Sequence, residues 1–528
     1  MSVPYLKNGC LMVHETPYLM LCGEVHNSSS SSLEYMEKVW DQAGRLGMNS
    51  LLLPVTWEMT EPEEGVFDFG LVDGLIAQAR RRGKRLGLLW FGAWKNAQCY
   101  YAPGWVKENP QRFHRAEMEK GKPFIRLKEF YGMGYSSLSY LCRETLEADK
   151  KAIVALMKHL KAVDGEENTV ILVQVENETG VMGAAREHSD LADAVFDAPV
   201  PRDFADYMRD HADTMASDIR ADLEKGSHRG SWAEIFGDCA DEIFSTYHIA
   251  SYVGELAAAG KEVYPLPMSV NCWLDQGGGP GVYPSGGPVL RVHEVWRFCA
   301  PEIDIYSPDI YVPYFLDVCD EYVRSGNPLF IPECATHSYA GPRLVYCIGY
   351  YHAGCYSPFG FEEMGQPFSA QAGFLFGMDV EDPALKTPQN PEEYGWYGRT
   401  LENMMPLLTS RYGTDRLQAV CAERKSNLTM NFESFSFTAH MDGPMISRRD
   451  GVCLICQIAG DEFYVIANGC MLSYTSLQPQ KSYVDVLLME EGRFENGRWI
   501  PDRRLNGDEI AVSCYHEPVL LRLKLLAY

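Results

Sequence analysis

From the N-terminus to about residue 360 the chain alternates short apolar runs with longer amphipathic stretches, the pattern of repeated β/α units. Eight runs predict strands, at 18–23, 51–55, 86–91, 170–175, 265–270, 303–306, 329–332 and 354–359. Runs such as LLLPV and VILVQV lack apolar/polar alternation, which fits parallel strands buried on both faces. Between them, amphipathic spacing predicts helices over 33–45, 71–82 and 145–163. Ser31 with Glu34 reads as a capping box for the first, and Gly47 and Gly83 stand where helices stop. Eight strands alternating with helices predict a (β/α)8 barrel, with an open doubly wound sheet as the rival.

After residue 362 the pattern changes. A Pro-rich, acidic stretch over 362–393 leads into a helix-like segment at 394–408. Strand-like runs follow at 427–441, 452–458, 462–467, 483–489 and 519–525, separated by Gly, Asp and Asn turns. The expected organisation is a catalytic barrel with long loops over 1–412 and a small all-β domain over 413–528.

Composition narrows the function. Acidic residues number 72 against 47 basic ones, a net charge of −25 that repels nucleic acid and anionic membranes and favours neutral or cationic ligands. The N-terminal stretch reads as no signal peptide and no run spans a bilayer, so the expectation is a cytoplasmic protein. Its 16 cysteines lie scattered in apolar stretches, as reduced core residues do. The single CxxC, Cys453 with Cys456, falls in a strand, where positions three apart face opposite ways. No zinc motif or phosphate loop is present, and neither a metal nor another cofactor is expected.

In a (β/α)8 barrel, function sits beyond the C-terminal ends of the strands. Carboxylates and aromatics collect there: Glu24, His26 and Asn27; Trp57 and Glu58; Trp90, Phe91 and Trp94; Glu176, Asn177 and Glu178; Asn271 and Trp273; Tyr306, Asp309 and Tyr311; Glu333; Glu362 and Glu363. Glu178 and Glu333 close the fourth and seventh strands. Glycoside cleavage requires one carboxylic acid to protonate the leaving oxygen and a second carboxylate to attack the anomeric carbon or activate water. Flat Trp and Tyr faces suit sugar C–H groups, while Asn and Glu bind hydroxyls. Each candidate has a plainer reading. Trp57, Trp90 and Trp94 could plug the barrel, Glu58 and Glu176 could pair with Arg or Lys, and Cys334 could merely pack.

QVENETG at 174–180 and PLFIPE at 328–333 make the chain resemble the retaining glycoside hydrolases of clan A. TWEMTEPEEGVFDF at 56–69, GEVHNSSSSSLEYM at 23–36 and the ending GRFENGRWIPDRRLNGDE at 492–509 resemble glycoside hydrolase family 35, in its bacterial β-galactosidase branch with a C-terminal β domain. The resemblance implies a retaining exo-β-glycosidase acting on terminal β-linked galactose of neutral oligosaccharides. It implies Glu178 as acid/base, Glu333 as nucleophile, Asn177 on the 2-hydroxyl, Tyr306 or Tyr311 on the nucleophile, and Glu24 on sugar hydroxyls. Asn27 and the serines depart from the family's first-strand motif. A β-glucosidase or transglycosylase of the same clan, a non-catalytic sugar-binding protein and a metal-dependent barrel hydrolase are the alternatives, and a homo-oligomer is compatible with all of them.

Overall fold

The computed structural model describes residues 2–275, 277–369, 372–373, 378, 383–425, 428–446 and 448–528. Eight strands close a barrel in chain order: β1 (Met20–Glu24), β2 (Ser50–Thr56), β3 (Arg85–Lys95), β4 (Val170–Asn177), β5 (Met268–Cys272), β6 (Ile305–Ile310), β7 (Phe330–Cys334) and β8 (Cys355–Pro358). This is the expected (β/α)8 architecture. Every one of the eight runs contributes a strand, and β2, β4 and β7 are buried at every position, as unalternating runs require. β1 begins at Met20, because Thr16–Tyr18 belongs to a separate three-stranded sheet with Tyr5–Lys7 and Cys10–Val13.

By contact density the chain forms two compact units. One comprises residues 1–5, 27–36 and 52–309; the other comprises 6–26, 37–51 and 310–528. In the first, β3 and β4 pair in parallel from Leu86 to Trp90, after which the register shifts, so that Trp90 faces Val175 but Lys95 faces Asn177. The surplus residues of β3 form a bulge beside the end of β4. Long helices Arg143–Asp164 and Ala240–Val263 pack beside these strands, and the shorter helices Asp190–Asp197, Arg202–Asp210, Ser217–Lys225 and Trp232–Phe236 lie in the connection after β4.

The expected capping box at Ser31 and Glu34 is replaced by a single cap bond one residue on. Ser29–Ser31 form a 3-10 turn in which the Ser31 hydroxyl donates to the Ser28 carbonyl at 2.6 Å. Ser32 Oγ accepts from the Tyr35 amide at 3.3 Å instead, because the serine run offers several hydroxyls and the turn consumes Ser31.

In the second unit, Gly47 (φ +66°) ends the first helix, and a Cβ there would meet the Gly395 carbonyl and Arg399 amide at 2.8 Å. Both the left-handed backbone and the approach of helix Pro391–Thr409 require glycine. That helix is capped by Asn390, whose side chain accepts from the amides of Glu392 and Glu393.

The C-terminal strands are β9 (Leu417–Cys421), β10 (Thr429–Asn431), β11 (Phe435–His440), β12 (Val452–Ala459), β13 (Glu462–Asn468), β14 (Cys470–Ser476), β15 (Val484–Glu495), β16 (Arg498–Arg504), β17 (Cys514–Tyr515) and β18 (Val519–Ala527). They form a six-stranded sheet, β9-β12-β13-β18-β15-β16, and a four-stranded one, β10-β11-β14-β17, sharing a core that includes Phe432, Phe435, Phe437 and Phe463. The expected strand over 427–441 is two strands with a turn between them, and its first residue, Asn427, lies outside the described residues, as does much of 370–382.

β12 is buried on both faces. Cys453 and Ile455 join the aromatic core, while Leu454 on the other face reaches the helical turn at Gly349. Cys453 and Cys456 therefore do not converge, and all 16 cysteines are free thiols, 13 of them buried. Arg343 grips Glu423 through Nε and Nη2 at 2.9 and 2.6 Å, while its guanidinium stacks 4.3 Å from the Phe315 ring centre. His337 Nε2 accepts from Arg343 Nη1 at 3.3 Å, and burial and that adjacent cation hold the imidazole well below its usual pKa, hence neutral. Among the described residues no helix is long and apolar enough to cross a membrane.

Candidate active site

The end of β4 is built around Glu176. The bulge in β3 leaves the amides of Gly92, Ala93 and Trp94 without strand partners, and the Glu176 carboxyl accepts all three, at 3.2, 3.1 and 2.8 Å. Glu176 is fully buried beside Asp149, which accepts from Trp90 Nε1 and the Tyr252 hydroxyl, each at 2.9 Å. Burial first, and then repulsion between the two carboxyls, raises Glu176 far above the carboxylate range, so the pair holds a proton. Among the described residues Glu176 thus has no Arg or Lys partner, unlike its plainer reading. Glu58 does lie 3.7 Å from Lys107.

The stretch that Glu176 fixes carries the next two residues inward. Lys95 Nζ donates to Asn177 Oδ1 at 2.8 Å, and Asn96 Nδ2 donates to Glu178 Oε2 at 2.6 Å. Asn177 and Glu178 are 0% and 4% exposed, and Asn177 Nδ2 has no hydrogen-bond partner among the described residues. A buried donor left unpaired beside a carboxylate suits a ligand acceptor.

Glu176 (φ +62°) and Glu178 (φ +46°) both occupy the left-handed region, which costs about 1–3 kcal/mol each for a non-glycine residue. Asn271, on β5, opposes that strain: its Oδ1 accepts from the Glu178 amide at 3.0 Å and its Nδ2 donates to Asp309 Oδ2 at 2.9 Å. One carboxylate oxygen of Asp309, on β6, lies within 4.8 Å of one of Glu178.

In the second unit, Glu333 on β7 is 4% exposed and Oε2 accepts from the Tyr311 hydroxyl at 2.8 Å. Tyr311 is one of the two tyrosines expected on this carboxylate. Within the first unit, Tyr306 on β6 packs its ring 4.7 Å from that of His293. Glu24, fully buried at the end of β1, bonds through its carbonyl to the Gly360 amide at 2.9 Å. Glu362 Oε1 accepts from the His26 amide at 3.0 Å, and the His26 ring meets Phe359 edge-on.

The tryptophans follow their plainer reading. Trp57 is wholly buried, with Nε1 donating to Glu61 at 2.9 Å and its ring edge-on to Trp105. Trp90 is taken up by Asp149, and Trp94 packs on Tyr252. Asn27 is half-buried in a cavity with Ser28, Thr56 and Tyr101. Sequence reasoning missed Lys95, Asn96 and Asp149. A signal existed in the polar Lys-Asn pair directly after an otherwise apolar strand, whereas Asp149 is masked by the polar face of its helix.

Residues 398–514 match a family model described as a domain of unknown function (DUF5597). No protein of curated function matches the chain. Among solved structures, it is similar to a β-galactosidase from Bacillus circulans sp. alkalophilus (12% identity, TM-score 0.46, 74% of this chain and 57% of that one). It is also similar to a family 42 β-galactosidase from G. stearothermophilus (14%, 0.45, 75% and 58%) and to an exo-β-1,4-mannosidase from Opitutaceae bacterium strain TAV5 (14%, 0.43, 77% and 63%). The chain thus spans less than two thirds of the length of each. Likeness at this level speaks to neither activity nor substrate.

Proposed function

We propose that the protein is a retaining exo-β-glycosidase, and that its preferred substrates are neutral oligosaccharides ending in β-linked galactose. The observation that carries this reading is a closed parallel barrel with a hydrogen-bonded glutamate at the C-terminal end of its fourth strand and another on its seventh. Glu333 is the nucleophile, oriented by Tyr311. Glu178 is the acid that protonates the leaving oxygen and then, as a carboxylate, deprotonates the water that releases the sugar. Asn177, held by Lys95, offers its unspent Nδ2 to the 2-hydroxyl, an interaction that strengthens in the transition state. Double displacement requires the two carboxyls to work about 5 Å apart.

The test is a panel of nitrophenyl β-galactoside, β-glucoside and β-mannoside with the wild type, Glu178→Ala and Glu333→Ala. The reading expects turnover of at least one by the wild type, highest on galactoside, and loss of roughly three orders of magnitude or more in Glu333→Ala. A Glu333→Ala enzyme that keeps the wild-type rate would remove the nucleophile assignment.

A further inference from the structure

A cavity of about 180 Å³ opens in the first unit, on the loops that follow β1 and β2. Six residues define its chemistry: Asn27, Thr56, Glu58, Met59, Leu71 and Tyr101. Thr56 is only 8% exposed, yet its hydroxyl has no hydrogen-bond partner among the described residues, and neither has Asn27 Oδ1. Both atoms are closed off from bulk water. An unpaired buried polar atom loses its hydration without return, so two on the lining of one cavity point to an occupant that bonds them.

The remaining serines explain why these two are left over. Ser30 donates to the Pro54 carbonyl at 2.7 Å and Ser31 to the Ser28 carbonyl at 2.6 Å, so their protons are already committed to shaping the loop. The Tyr101 hydroxyl bonds the Ser28 side chain, and its ring is braced 5.2 Å from Phe91. What remains is an amide acceptor, a hydroxyl able to give and take, and the Glu58 carboxylate, set against the apolar side chains of Met59 and Leu71. An aromatic and apolar wall facing several hydroxyl-binding groups is the surface a pyranose presents its C–H face and its hydroxyls to. Among the described residues no cation lines the cavity, which disfavours an anionic occupant.

We infer that this cavity is a sugar subsite that holds a second pyranose unit of a neutral oligosaccharide, with Thr56 and Asn27 bonding its hydroxyls. The choice of ligand rests on the glycosidase reading; the cavity and its unpaired atoms do not. Such a subsite raises affinity for an oligosaccharide and leaves an aryl monosaccharide, which has no second sugar to place, unaffected.

The experiment titrates lactose, cellobiose and β-1,4-mannobiose by ligand-observed NMR into Glu333→Ala, which spares the disaccharide, and into the same protein carrying Thr56→Val or Thr56→Ser. At least one disaccharide binds the parent, Thr56→Val weakens it roughly fivefold, and Thr56→Ser, which keeps the hydroxyl, stays near the parent. In the otherwise wild-type enzyme, Thr56→Val leaves nitrophenyl monosaccharide turnover unchanged. Absence of binding to the parent overturns the subsite, as does equal affinity in the parent and both variants. A wild type that turns over no aryl glycoside while its disaccharide binding still depends on Thr56 defeats the hydrolase reading and keeps the subsite.

Discussion

The carboxamide of Asn96 donates to Oε2 of Glu178 at 2.6 Å. Asn96 itself has φ +53°, a left-handed backbone that Asn tolerates better than most residues, and it occupies that position because Glu176 anchors the three preceding amides. Removing a hydrogen bond to an ionisable group costs about 1.5–3 kcal/mol, so Asn96→Ala should lower kcat/KM roughly tenfold to a hundredfold. Asn96→Asp should be worse, since it replaces the donor with a like charge. Steady-state kinetics with the best aryl glycoside reads both; an Asp variant as active as the Ala variant would mean that the contact does not matter.

Tyr311 is expected to act through Glu333. Tyr311→Phe keeps the ring and deletes the donor at 2.8 Å, and should reduce kcat roughly tenfold to a hundredfold with thermal stability nearly unchanged. A Tyr311→Phe enzyme with the wild-type kcat would show that this contact does not orient the nucleophile.

The Glu176–Asp149 pair should be visible in the pH dependence of stability. Burial and the neighbouring carboxyl raise Glu176 in the folded protein, while the unfolded value is ordinary, about 4.3. Between those values the folded state binds more protons than the unfolded one, so this pair subtracts stability progressively as pH rises through that window. Glu176→Gln can still donate to Asp149 but does not titrate. Its melting temperature relative to the wild type should therefore climb as the pH rises above about 5, and parallel curves would show that no proton is held there.

Arg343 and Glu423 test what ties the C-terminal sheets to the helix at Ala340–Tyr346. Removing one partner of a buried ion pair strands the other, at about 3–5 kcal/mol. Arg343→Met should be destabilised by about that amount, and Arg343→Met with Glu423→Leu should recover most of it. Additive losses in a denaturant double-mutant cycle would contradict the coupling.

Much of the barrel was legible because its strands are buried on both faces and announce themselves as unbroken apolar runs, as in VILVQV. Glu178 and Glu333 were legible for the same reason, since each carboxylate interrupts or ends such a run. The bulge in β3 was not. The expected strand stops at residue 91, and only pairing with β4 reveals that the amides of Gly92, Ala93 and Trp94 need a side-chain acceptor. Trp57 was misleading because exposure of an aromatic at a strand end depends on the helix that follows, here the four residues Trp57–Thr60 that turn its N–H onto Glu61. The sheet at Tyr5–Tyr18 escaped because its strands are three or four residues long and alternate weakly.

The central claim, that Glu178 and Glu333 act together by double displacement, is tested most directly by following the anomeric proton of the first-formed sugar by NMR during hydrolysis of the best nitrophenyl β-glycoside. The account predicts that the β-anomer appears first and mutarotates to the equilibrium mixture afterwards. First appearance of the α-anomer would contradict it.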